Sequence, residues 1–277
     1  MAYSLKKAKE ILTRVEQVGI AETALEYGIA ASSVKRALRY LNKNNKIPNP
    51  IDQCVINGGR KVLCIGDLHC PFDLDGYLEF CINTYAKYNC DTVVFIGDVI
   101  DNHYTSYHET DPDGMSGRDE LDLAIERLKP YNKTFPEAYV TIGNHDRMVM
   151  RKSVTSNVPR RWIKSYKEVL ETPGWIFTDE VSIDNVSYIH GEAGTAKSRA
   201  LNEMCSCVQG HRHTELYTHW SFGINRSVFS CQVGCGIDFS SFAFDYAKRG
   251  KKPAIGCAVI IDGKTCINEI MELWKII

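Results

Sequence analysis

The chain has 277 residues, 44% of them apolar and 24% charged, with a net charge of −1. That composition excludes a disordered or collagen-like chain and suits one sizeable domain plus a small one. Its eleven cysteines are odd in number and never spaced as CxxC. This argues against a disulfide framework or zinc ribbon and for a reducing, cytoplasmic compartment. No apolar run exceeds strand length, so neither a secretion signal nor a membrane span is expected.

Charge is unevenly spread. Residues 1–47 carry nine Lys and Arg against four Glu, a net +5, which leaves −6 for the remainder; the asymmetry marks two modules. Leu5, Ala8, Ile11, Leu12 and Val15 recur at helical spacing, and a second short helix is expected around 20–27. In the stretch YGIAASSVKRALRYL, Gly28 can close a tight helix–helix turn, Ser32 or Ser33 can cap the next helix, and Val34, Leu38 and Leu41 form its buried stripe. Ala24 sits where two helices would approach closely. The segment resembles a helix-turn-helix, which leaves Lys35, Arg36 and Arg39 exposed on the second helix to contact DNA phosphates or bases. The alternative is a small basic helical appendage that packs on the main domain or on a partner subunit. Polar residues and two prolines follow, so the expected division is a helix-turn-helix-like domain over 1–45, a linker over 46–58 and a catalytic domain over 59–277.

From residue 60 strand and helix signals alternate: KVLCIGD, LDGYLEFCINTYAKY, DTVVFIGD, DELDLAIERLKPY, AYVTIGN. This predicts an α/β fold of β-α-β units. The second half reads as richer in strands, with WIFTD, VSYIHGE, VQGHRHT, RSVFSCQVG, CAVIIDG and CINEIMEL.

Five of these strands end in groups that are awkward to bury. Asp67 and His69 follow the first, Asp98 and Asp101 the second, Asn144 and His145 the third; His190 ends a fourth, and His211 and His213 a fifth. Strand ends of an open α/β sheet converge on one crevice, so these side chains are expected to meet. Carboxylates and imidazoles crowded together repel or stay unsatisfied unless divalent cations neutralise the former and accept the lone pairs of the latter. Mixed Asp, His and Asn donors suit Mn²⁺, Fe or Zn²⁺ better than a Cys-rich zinc site or an all-oxygen calcium cage. A dinuclear catalytic centre is the inference.

The ordered set Asp67-x-His69, Gly97-Asp98-x-x-Asp101, Gly143-Asn144-His145-Asp146, His190 and Gly210-His211-x-His213 resembles the five motifs of the calcineurin-like metallophosphoesterases. The resemblance covers about 60–220. It implies an α/β sandwich of two facing sheets flanked by helices, and hydrolysis of phosphate esters by two divalent metal ions, with Mn²⁺ favoured. It further implies that Asp67, His69 and His213 hold one metal, that Asn144, His190 and His211 hold the other, and that Asp98 bridges them. His145 would stabilise charge or protonate the leaving oxygen, oriented by Asp101. Asp146 is expected to be structural, and His103, His108 and His219 to be ordinary loop or surface histidines.

Phosphoprotein phosphatases of this kind carry Arg-Gly after the second aspartate and Glu after Asn-His. Here GDVIDNHY and GNHD stand instead, closer to nuclease, nucleotidase or phage-type members. The leading expectation is a DNA-directed phosphodiesterase. The alternatives are an enzyme of cyclic nucleotides or small phosphomonoesters, and a DNA-binding regulator with a weak catalytic centre.

Overall fold

The computed structural model describes residues 53–106, 114–240 and 252–272, together with Thr23, Glu26 and Tyr27. The chain divides into two units, residues 1–51 and 52–277. In the first, Thr23 and Glu26 are helical and the Tyr27 N–H donates to the Thr23 carbonyl at 3.1 Å. Gly28 and the basic residues Lys35, Arg36 and Arg39 lie outside the described residues, as does His108.

The strands of the second unit are β1 (Gln53–Ile56), β2 (Lys61–Ile65), β3 (Thr92–Phe95), β4 (Ala138–Thr141), β5 (Trp175–Thr178), β6 (Glu180–Ile183), β7 (Val186–Ile189), β8 (Ser206–Gln209), β9 (Leu216–Phe222), β10 (Ser227–Val233), β11 (Gly256–Ile261) and β12 (Thr265–Ile270). They form two mixed six-stranded sheets, ordered β12-β11-β2-β3-β4-β5 and β1-β6-β7-β8-β10-β9. The helices are α1 (Tyr77–Tyr88), α2 (Gly117–Thr134), α3 (Met148–Thr155), α4 (Tyr166–Val169) and α5 (Ala196–Glu203). No helix among the described residues is long and apolar enough to cross a membrane.

Strands buried on both faces read as continuous apolar runs, and β2 shows why. Val62 and Cys64 join Val94, Ile96, Val181, Tyr188 and Phe229 in one buried cluster shared by the two sheets. Leu63 and Ile65, on the opposite face, join Tyr77 and Cys81 of α1, Leu128 and Tyr131 of α2, and Trp175 in another. Each fully buried Val, Leu, Ile or Phe contributes roughly 1.5–3 kcal/mol, so these clusters fix which way each strand faces. On the second sheet the small side chains Ala196 and Ala200 let α5 pack against Cys207 and Val228.

Several elements, among them β1, β6, β9 and α3 to α5, are not among the strand and helix signals read from the sequence. β1 lies inside the stretch assigned to the linker, where Gln53–Ile56 pair in parallel with β6. β5 and β6 are separated by Asp179 alone and belong to different sheets, so the chain crosses between layers at a point that looks like one continuous strand. β2, β3 and β4 run parallel in one sheet, and β7 and β8 run parallel in the other. The carboxyl ends of these five strands carry the polar motifs.

Candidate metal centre

Each of the five strands leads into a turn containing glycine, and at all five the reason is close approach, clearest at two. A Cβ on Gly143 would fall 2.0 Å from Asp98 Oδ1, and one on Gly210 would fall 2.5 Å from Asp67 Oδ1. The side chains are aimed by unusual backbone: His69, Asp98 and His211 have φ of 52°, 45° and 69°. Non-glycine residues persist there only where the surroundings over-determine them. The loops after β2 and β3 supply that constraint by bonding to one another. Leu68 and His69 N–H donate to the Asp98 carbonyl at 3.1 and 2.9 Å, Cys70 N–H to Val99 at 3.0 Å, and Asp101 N–H to Cys70 at 3.0 Å. Asp146 completes the frame, its carboxylate accepting N–H groups from Gly143 (2.8 Å), Asp98 (2.9 Å), Val99 (3.1 Å) and Ile100 (3.4 Å).

Within this frame the predicted residues come together as two groups able to hold a metal. Asp67, His69 and His213 form one and Asp98, His190 and His211 the other, with the donor atoms of each group within 4.8 Å of one another. Asp98 stands between them. Its Oδ1 accepts the His145 N–H at 2.8 Å, while Oδ2 lies 3.1 Å from His190 Nε2 and 3.7 Å from His69 Nε2. Asn144 Oδ1 is 3.0 Å from His190 Nε2.

The polarity of these contacts calls for cations. His190 Nδ1 is engaged by the Ile96 carbonyl at 2.9 Å, which turns Nε2 toward two oxygen acceptors. His69 Nδ1 is engaged by Asp101 Oδ1 at 2.5 Å, which turns its Nε2 toward His213 Nε2 at 3.2 Å. Tying one ring nitrogen of a histidine to a carbonyl or carboxylate is the usual support for a metal-binding imidazole. Acceptor facing acceptor in a site where Asp98, His69 and His190 are each 1% exposed is stable only with positive charge between them. Without cations the protons carry that charge. Burial opposes it, but the carboxylates of Asp98 and Asp67 push His190 up to about 10. Burial likewise opposes ionisation of Asp98 and Asp67, and His190 above all holds both below their ordinary values.

Beside these groups lies a third, His69, Asp101 and His145. His145 Nδ1 is 2.6 Å from the Asp101 carbonyl and 3.3 Å from its Oδ1. Despite burial, Asp101 and Asp98 raise this imidazole to about 9. At 24% exposure it reaches the mouth of the site, unlike the buried His69 and His190. Asp101 therefore touches both His69 and His145, whereas the sequence pointed only to His145. Its Oδ2, buried and without a hydrogen bond, is 3.6 Å from His103 Nδ1. His219 lies on β9.

Residues 60–226 match the model of the calcineurin-like phosphoesterase family. The chain belongs to that family. No curated protein matches it. Solved structures similar to it include YfcE, a phosphoesterase from E. coli (16% identity over 72% of this chain and 87% of that one, TM-score 0.36). Vacuolar protein sorting 29 from Cryptosporidium parvum is another (18%, 77% and 99%, TM-score 0.37), as is Vps29 from Entamoeba histolytica (15%, 76% and 99%, TM-score 0.34).

Sequence reasoning missed Asn102 and Glu120. Asn102 Nδ2 donates to the His145 carbonyl at 2.9 Å, and nothing in the sequence marks it. Glu120 carried a signal, since it is a carboxylate on the stripe Glu120, Ala124, Leu128, Tyr131 that α2 buries.

Proposed function

We propose that the chain is a phosphodiesterase that works with two divalent cations, Mn²⁺ by preference, and that its substrate is DNA. The observation that carries the phosphoesterase reading is the pair of adjoining donor groups with Asp98 standing between them. Two cations held there would supply Lewis-acid polarisation of a phosphoryl group and a nucleophile from water near neutral pH. Asp67, His69 and His213 would hold one cation and Asn144, His190 and His211 the other, with Asp98 placed to serve both. The His145 N–H occupies Asp98 Oδ1, and Oδ2 faces His190 and His69. Asp101 and its carbonyl hold the ring of His145 by Nδ1, so that the proton for the leaving oxygen is delivered from Nε2 at the open side of the site. Asp146 holds the turn of Asp98 in place.

DNA as substrate is supported by the net +5 of residues 1–47 and by the helix-turn-helix pattern within them, with Lys35, Arg36 and Arg39 as contacts. One observation favours a second substrate class: residues 48–277 carry −6 and offer no broad polyanion track, which suits a cyclic nucleotide or a small phosphomonoester.

The two are separated by measuring DNA and bis-p-nitrophenyl phosphate side by side with Mn²⁺. The comparison uses the full chain, a chain of residues 46–277, and the full chain with Lys35, Arg36 and Arg39 changed to Ala. Both altered proteins are expected to keep hydrolysis of the small diester. Both should lose much of their efficiency on DNA at moderate salt and show a flatter salt dependence, because fewer counterions are released. Equal DNA cleavage by all three across a salt titration removes the DNA-binding assignment. Hydrolysis of cyclic nucleotides or phosphomonoesters without any cutting of DNA makes the second class the substrate.

A further inference from the structure

Glu120 lies in the first turn of α2, outside every motif, yet it is 2% exposed. Burying a carboxylate costs several kcal/mol unless it is answered by donors, and here the donors are backbone. Glu120 Oε1 accepts the His103 N–H at 2.7 Å and Oε2 the Tyr104 N–H at 3.3 Å. These are the first two N–H groups of the 3-10 turn His103–Thr105, which no intrahelical acceptor can satisfy. The residue before that turn, Asn102, has φ of 53°; its carbonyl accepts from Thr105 N–H at 2.8 Å, and its side chain donates to the His145 carbonyl at 2.9 Å. The residue before that is Asp101, which holds the His145 ring by its carbonyl at 2.6 Å. Tyr104 OH closes the loop by donating to Asn102 Oδ1 at 3.3 Å. Glu120 thus ties this turn to α2. Two further bonds from the turn end on His145.

We infer that Glu120 is a positioning residue for His145: it pins the 102–105 turn so that Asp101, through the ring, and Asn102, through the backbone carbonyl, hold His145 where its imidazole meets the leaving oxygen. Burial pushes the Glu120 carboxyl up to about 7, and the His103 and Tyr104 N–H groups oppose that rise. The inference rests on the phosphoesterase reading for its kinetic consequence and on the geometry alone for its structural one.

The test compares wild type, Glu120→Gln and Asn102→Ala, with Mn²⁺, on aryl phosphate esters with a good leaving group (p-nitrophenyl) and a poor one (phenyl). Gln keeps one acceptor oxygen but turns an NH₂ toward the second donor; Asn102→Ala cuts the next link should the first variant fold poorly. Nitrophenolate leaves with little protonation and phenolate does not, so a misplaced acid should slow the phenyl ester more. The expected result is a fall in kcat of roughly 10-fold on the nitrophenyl ester and nearer 100-fold on the phenyl ester. KM should stay within about twofold, with metal content and Tm close to wild type in Glu120→Gln. Equal losses on both esters, or losses that follow metal content or unfolding, overturn the inference, because a purely structural role moves those quantities together. A crystal structure of Glu120→Gln supplies an arm independent of activity. The 102–105 turn and the His145 ring should shift; their staying in place overturns the inference. Wild-type protein inert on both esters sinks the phosphoesterase reading instead, while the crystal structure still decides the role of Glu120.

Discussion

Asp98, after β3, and Asp184, in the turn between β6 and β7, are the same residue in nearly the same backbone conformation, with φ of 45° and 49°. Their surroundings differ. Asp184 is answered by its own chain, accepting N–H groups from Gly58 (2.9 Å), Gly59 (3.1 Å) and Arg60 (2.6 Å). Asp98 accepts one N–H, from His145, and turns its other oxygen to His190 and His69. Asp146 stands between the two cases, buried like Asp98 but satisfied by four N–H groups like Asp184. An aspartate in a turn marks chemistry when the fold leaves part of its charge for something else to neutralise. Where backbone N–H groups close around it, it is a fastener.

The contrast is broken most directly at Asp98. Asp98→Asn should lower turnover by at least about 10³-fold and reduce bound metal at both groups, because one side chain serves both; chelation of the wild-type protein should do the same. Metal content by atomic spectroscopy and kcat on a nitrophenyl diester report the two effects together. Full activity in a metal-stripped preparation would falsify the metal mechanism outright.

A smaller effect is expected at the neighbours that act on protons and orientation. His145→Asn should keep its metals and lose about 10²–10⁴-fold in kcat, the usual contribution of a positioned acid; loss of a metal from this variant makes His145 a ligand instead. Asp101→Asn should be milder on kcat. It should also weaken metal binding at the Asp67, His69 and His213 group, by roughly 10–100-fold, because its Oδ1 holds His69 Nδ1. Titration of the apo protein with Mn²⁺ separates these effects, and unchanged metal affinity would confine Asp101 to His145.

Much of this centre was legible because its signal is local. An apolar strand followed by glycine and then Asp, Asn or His recurs five times, and each occurrence can be read without knowing the others. The contact of Asp101 with His69 and the burial of Glu120 against the 3-10 turn were not legible in that way. Whether Asp101 meets His69 depends on the ladder between the loops after β2 and β3, a contact across 32 residues. Glu120 sits on a helical stripe whose other members are core, and only the position of the 3-10 turn gives it donors. The fold shows the same division. The β-α-β half announces itself through strands buried on both faces, whereas β1 is four residues that become a strand only by pairing with β6. The β5 to β6 crossing is hidden because one residue suffices to change sheets.

The smallest expected effect belongs to the fastener. Asp184→Asn should leave kcat and metal content unchanged and cost about 1 kcal/mol of stability, the typical worth of hydrogen bonds to an exposed charged group. Its pH dependence has a definite sign. Burial would raise the Asp184 carboxyl, but the N–H groups of Arg60, Gly58 and Gly59 outweigh it and hold it below its ordinary value. Between the folded and unfolded pKa values the unfolded chain therefore binds more protons, and stability rises with pH there. The contribution is complete above the unfolded value of about 4 and disappears as pH falls through the folded one. The difference in Tm between wild type and Asp184→Asn should thus be largest near neutrality and close up in acid. Asn accepts the left-handed backbone, so strain does not mask the comparison. A Tm difference that stays constant from neutral pH into acid would mean that the charge of Asp184 is not what its N–H donors hold, and the contrast with Asp98 would lose its basis.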